Sequence, residues 1–167
     1  MKDFKYLFAY TVPIAVYISF ISTGLWTFFS VFYVFIIIPL LDLIFGETKE
    51  NLTDEDISYI KNKWIFDLML YLNLPIVFGL LYLILFNINS NVYEVYELVG
   101  LAISSGILLA TNGINVAHEL GHRKSFFDRF LSQTFYIPCL YMHFFIEHNY
   151  GHHLKVATPE DGATAKL

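Results

Sequence analysis

An all-α integral membrane fold, with four transmembrane helices and a re-entrant or interfacial apolar segment between two histidine clusters, is predicted by three features of this sequence. Hydrophobic residues make up 56% of its 167 positions and charged residues only 15%, against about 25% charged in a soluble domain. The apolar residues gather into runs long enough to cross a bilayer, separated by polar or turn-forming stretches. All ten Lys and Arg residues fall on one side of a four-span arrangement, and the positive-inside rule makes that side cytoplasmic.

The first two spans come from one run. Residues 6–41 contain no charged side chain. As a single helix that run would extend roughly 54 Å at 1.5 Å per residue, whereas the hydrocarbon core is about 30 Å thick. It must fold back, and Ser22, Thr23 and Gly24 supply the turn. Spans are therefore expected at residues 4–21 and 25–45, with Pro13 and Pro39 as kinks that neighbouring helices accommodate. Lys2 and Lys5 ahead of the first run resemble the start of a signal peptide. The run has no small-residue cleavage pattern after it and outlasts an h-region, so a retained anchor is expected.

Residues 46–63 read as a polar connection, in which Thr53 followed by Asp54, Glu55 and Asp56 has the pattern of an N-cap and an acidic first turn. A third span is expected at residues 64–86, with Asp67 near its start and Pro75 inside it. Residues 87–91 form a turn without Lys or Arg, and a fourth span at residues 96–116 leads directly into His118. Ala102, Gly106 and Ala110, then Gly113, Ala117 and Gly121, make a small-residue stripe suited to close helix packing. Residues 130–146 are apolar enough for a fifth span, but that span would put the two histidine clusters on opposite sides of the membrane. Pro138 near its middle weakens a continuous helix. The stretch is expected to dip into the membrane or lie along it and return, with Arg123, Lys124, Asp128 and Arg129 at the interface.

Five of the six histidines lie in two short clusters, His118 and His122, then His148, His152 and His153. Neutral imidazole is the commonest metal ligand. On an α-helix a spacing of four puts His118 with His122, and His148 with His152, on one face. Five imidazoles exceed the three that a catalytic zinc takes from its protein, so a site for two metal ions is expected. His143 is off the spacing and is expected to support the site or lie at the interface. Glu119, Glu147, Asn115 and Thr111 are expected to orient imidazoles, Thr111 and Asn115 from within the fourth span. His118-Glu119-Leu120-Gly121-His122 also matches the H-E-x-x-H pattern of zinc metalloproteases. The second cluster brings too many imidazoles for that zinc, and nitrogen-rich sites of higher ligand number suit iron. The single Cys139 excludes an intrachain disulfide or a cysteine-ligated cluster. A net charge of −5 without a basic run excludes nucleic acid as a partner.

These residues carry a resemblance. Residues 115–124 (NVAHELGHRK) look like the first histidine box of the membrane alkane hydroxylases, within the desaturase-like histidine-box superfamily. Residues 143–153 (HFFIEHNYGHH) look like the second box. Residues 156–161 (VATPED) are similar to the segment just after that box, and residues 39–47 (PLLDLIFGE) to the end of the second span. The resemblance implies a non-haem di-iron monooxygenase that hydroxylates the terminal carbon of n-alkanes with dioxygen, and rubredoxin as electron donor. It implies His118, His122, His148, His152 and His153 as ligands to two irons at the cytoplasmic face of an inner membrane. A fatty-acid desaturase, an aromatic-methyl hydroxylase or a non-catalytic membrane module remain alternatives. The family has a third histidine box that is absent from residues 1–167. The chain is thus expected to be the N-terminal part of one membrane-embedded domain, sharing its irons with ligands elsewhere and inactive alone.

Overall fold

In lipid, every backbone N–H and C=O must find its partner within the protein, and an uncharged run achieves this as helix. The computed structural model describes residues 2–46 and 63–163, with side chains from Tyr6 onward, and among these residues it contains helices and turns and no strand. The expected Thr53 cap lies outside the described residues. The chain forms two compact units, residues 1–112 and 113–167.

The first unit contains α1 (Tyr6–Ile21), α2 (Gly24–Phe45), α3 (Trp64–Ser90) and the start of α4 (Val95–Gly121). Helices α2, α3 and α4 are long and apolar enough to cross a membrane, whereas α1 is shorter. Only Thr27 and Ser30 of α2 are buried, and Phe35, Leu43, Ile44 and Phe45 stand exposed along it. Such a surface is stable when hydrocarbon rather than water surrounds it. The chain leaves α1 at Ser22 and Thr23 and re-enters helix at Gly24 with φ +64°, which glycine adopts without a Cβ penalty. Pro39 has no N–H to give to the turn before it, and a π-helical turn, Tyr33–Ile37, sits directly ahead of it.

Polar side chains inside this unit are satisfied in a ladder. The Ser30 N–H donates to Ser19 Oγ at 2.9 Å, Ser30 Oγ–H donates to Ser104 Oγ at 2.8 Å, and Ser104 Oγ–H donates to the Thr27 carbonyl at 2.9 Å. These bonds tie α1, α2 and α4 together where water cannot compete. The Glu97 carboxylate accepts from the Gly24 N–H and, at 2.7 Å, from the Glu94 N–H, closing a capping box at the start of α4. Asn112 Nδ2 donates to Asn73 Oδ1 at 2.8 Å, joining α4 to α3.

Gly113, Ala117 and Gly121 of the small-residue stripe are buried as expected, and its first half is not. Ala102, Gly106 and Ala110 are exposed, while Gly100 and Ser104 face the packed side of α4. A Cβ on Gly100 would run into Thr27 and lie 2.8 Å from the Phe28 ring, so the close approach of α4 to α2 depends on glycine there.

The second unit holds the end of α4, α5 (Phe126–Tyr136) and α6 (residues 144–155). Ser125 caps α5, its Oγ accepting from the Asp128 N–H at 3.4 Å. Helix α5 is 11 residues long, roughly 17 Å at 1.5 Å per residue and far short of the hydrocarbon thickness. It buries Leu131, Ser132, Phe135 and Tyr136 and exposes Phe126, Phe127 and Phe130. It ends ahead of Pro138, and the chain turns through Leu140 at φ +53° into α6. Residues 130–146 therefore contain no continuous membrane-length helix. Ala117 is fully buried where α4 meets α5, and Ser132 Oγ–H donates to its carbonyl at 2.6 Å. A Cβ on Gly121 would lie 3.1 Å from Ser132 Oγ and 3.4 Å from the Phe145 ring, so this glycine lets α5 and α6 seat against the first cluster.

Candidate metal centre

The last turn of α4 carries His118, and His122 follows at its C-cap, the two rings edge to face at 4.5 Å. Helix α6 brings the second cluster to them. Its central part, Glu147–His152, is a π-helical turn. An i→i+5 turn stacks residue i+5, not i+4, on residue i. His148 Nε2 consequently meets His153 Nε2 at 2.9 Å, while the His152 ring lies beside His148, centroids 5.6 Å apart, with its nitrogens outside the group of four.

Four ring nitrogens converge. His118 Nε2 lies 2.6 Å from His148 Nε2 and 3.1 Å from His122 Nε2. The ligand atoms of His118, His122, His148 and His153 all lie within 4.8 Å of one another. Such a set cannot satisfy itself. A neutral imidazole Nε2 holds either one proton or one lone pair, yet His118 and His148 each face two other Nε2 atoms. A cation that accepts all four lone pairs resolves the conflict, so the donor set fits a metal of imidazole preference.

Burial, and then the charges His118, His153, His122 and His152 would carry if protonated, push the His148 imidazole down to about 4. It is therefore neutral at pH 7, the state in which it can bind metal. Its plane is held by a stack: Phe144 lies 4.9 Å away at 14° between planes, and Tyr141 stacks on Phe144 at 5.1 Å. The aromatic four residues before His148 was the available sequence signal for this support.

The other expected residues stand apart from these four. His152 is outside the group, and its Nδ1 sits 2.8 Å from Asp161 Oδ2. His143 is also outside it, edge-on to Tyr141 at 4.8 Å. Glu119, Glu147 and Asn115 are not buried. Thr111 Oγ1–H bonds the Ile107 carbonyl at 2.8 Å, closing its own helical turn. A cavity of about 780 Å³ opens beside the second cluster, lined among others by Tyr141, Glu147, His148, His152, Lys155 and Asp161.

No protein-family model matches the sequence. Curated relatives do. An alkane 1-monooxygenase of Pseudomonas putida is 38% identical over 133 residues, which is 78% of this chain and 32% of that protein. Alkane 1-monooxygenase 1 of Alcanivorax borkumensis is 36% identical over 78% of this chain and 32% of its own length. An alkane 1-monooxygenase of Ectopseudomonas oleovorans is 37% identical over the same shares. The chain thus spans about a third of the length of the curated relatives it matches.

Proposed function

We propose that this chain is part of a membrane alkane hydroxylase, in which the two histidine clusters form one metal centre. The observation that carries this reading is the convergence of four imidazole nitrogens, two from each cluster, within 4.8 Å. Two non-haem irons, completed by ligands from the rest of the protein, would supply the dioxygen chemistry that breaks an unactivated C–H bond. The chain's own residues do the rest. His118, His122, His148 and His153 offer lone pairs, and His152 is a fifth ligand. Phe144 and Tyr141 hold His148 and keep water from its face. Glu119 and Glu147 supply negative charge beside the cationic centre. An n-alkane concentrates in the bilayer and reaches the site from the lipid, and rubredoxin delivers electrons on the water side.

The test is oxidation of an n-alkane by the complete gene product with a reductant and ¹⁸O-labelled dioxygen. One labelled oxygen in the primary alcohol is expected. An alkene product points instead to a desaturase. Peptide cleavage without alcohol returns the zinc-protease reading of residues 118–122.

Four spans fit this function. Lys2–Tyr10 is 3-10 helix and Thr11–Ile21 is α-helix. At about 2.0 and 1.5 Å per residue they extend roughly 34 Å together, enough to cross. With four spans, every Lys and Arg shares the face of the clusters, which is then the cytoplasmic face of the inner membrane. A single cysteine placed at Thr23 or Asn89 is expected to react with an impermeant reagent added outside intact spheroplasts, and one at Lys124 is not. The reverse pattern inverts the topology.

A further inference from the structure

We infer that Asp161 is a positioning residue that fixes His152 as a metal ligand through its Nε2. The inference rests on the metal-centre reading above. From His153 to Ala163 every described side chain is exposed except Asp161, which is 4% exposed. A carboxylate in an otherwise exposed segment is buried only where something binds it. Here the chain turns to bring it in. The Thr158 N–H and Oγ–H donate to the Lys155 carbonyl at 2.9 and 2.6 Å, Ala157 takes φ +65°, and the Asp161 N–H donates to the Thr158 carbonyl at 3.2 Å. Its Oδ1 accepts from the Ala163 N–H at 3.0 Å, and its Oδ2 lies 2.8 Å from His152 Nδ1.

A carboxylate only accepts, so His152 must carry its proton on Nδ1. In the neutral ring, the form that binds a metal, the lone pair is then on Nε2. This carboxylate–imidazole pairing is how proteins fix the tautomer and raise the basicity of a metal-ligating histidine. It also accounts for the separation of His152 from the group of four. The π-helical turn gives His153 to that group, and Asp161 holds His152 beside it, with ring centroids 5.6 Å from His148 and 5.5 Å from His153. A ligand so placed serves a second metal position next to the first.

The experiment uses the complete gene product, purified with its iron and challenged with a ferrous chelator, with iron per chain and helix content by circular dichroism as readouts. Asp161→Asn separates the two roles of the carboxylate. Its Oδ1 can keep the Ala163 N–H, but its NH₂ then meets His152 and forces the proton to Nε2, where it blocks a metal. Asp161→Asn is expected to retain the wild-type fold and lose iron affinity about 10–100-fold, with Asp161→Glu recovering part of the loss. Wild-type iron retention by Asp161→Asn overturns the inference while leaving the metal centre standing. A wild-type protein that holds no iron overturns the metal centre as well. If Asp161→Asn misfolds, His152→Ala decides: an iron loss matching that of Asp161→Glu or greater supports the inference, and full retention overturns it.

Discussion

On the proposed function, replacing His148 by alanine in the complete gene product is expected to abolish alkane oxidation and to lower iron affinity by more than about 100-fold, beyond the range seen when only a ligand's supporting group is lost. The reason is its position. Its Nε2 has close neighbours in both clusters, 2.6 Å from that of His118 on α4 and 2.9 Å from that of His153 on α6. Without it, the edge-to-face pair of His122 and His153, with centroids 4.8 Å apart, is what still joins the clusters. The ring is partly exposed and stacks on Phe144, so its truncation leaves helix content intact. His143→Ala, which touches Tyr141 outside the group of four, is expected to retain iron. Metal analysis of the two variants side by side reads the difference, and equal retention in both contradicts the assignment.

Acidification is expected to release the iron over a defined window. The depressed value of about 4 for His148 means that the folded state holds this ring neutral where an unfolded chain, near 6.5, would protonate it. The unfolded state binds more protons between these values. The contribution of His148 to stability is therefore complete above about 6.5 and is lost as pH falls toward 4. Metal binding needs the same neutral ring, so protons and iron compete. Iron retained after rapid desalting is expected to be constant from pH 8 to about 7 and to fall steeply below about 6. Full retention at pH 4 would set the centre's ligands apart from these imidazoles.

The helices long and apolar enough to cross a membrane, α2, α3 and α4, were legible because uncharged runs and their turn residues are coarse signals. The break at Ser22 and Thr23 falls in the turn expected there. The return of the chain between the clusters was legible from Pro138 and from the demand that the histidines meet. Two features were not. Spacing arguments assumed α-helix through the second cluster, and the π-helical turn at Glu147–His152 shifts the partner of His148 from His152 to His153. Nothing in residue spacing announces a change from i→i+4 to i→i+5. Likewise, the stripe Ala102, Gly106 and Ala110 repeats as regularly as Gly100 and Ser104, and only the neighbours Thr27 and Phe28 decide which row is the packed one. Asp161 was visible only as a letter in VATPED. Its role depends on a turn that brings it back to His152.

The measurement that bears most directly on a single shared centre is the metal content of the purified complete gene product, by elemental analysis together with Mössbauer spectroscopy. Close to two irons per chain, coupled in one spectrum and lowered by alanine at His118 or at His153 alike, is the predicted result. One zinc per chain that survives His148→Ala would contradict it.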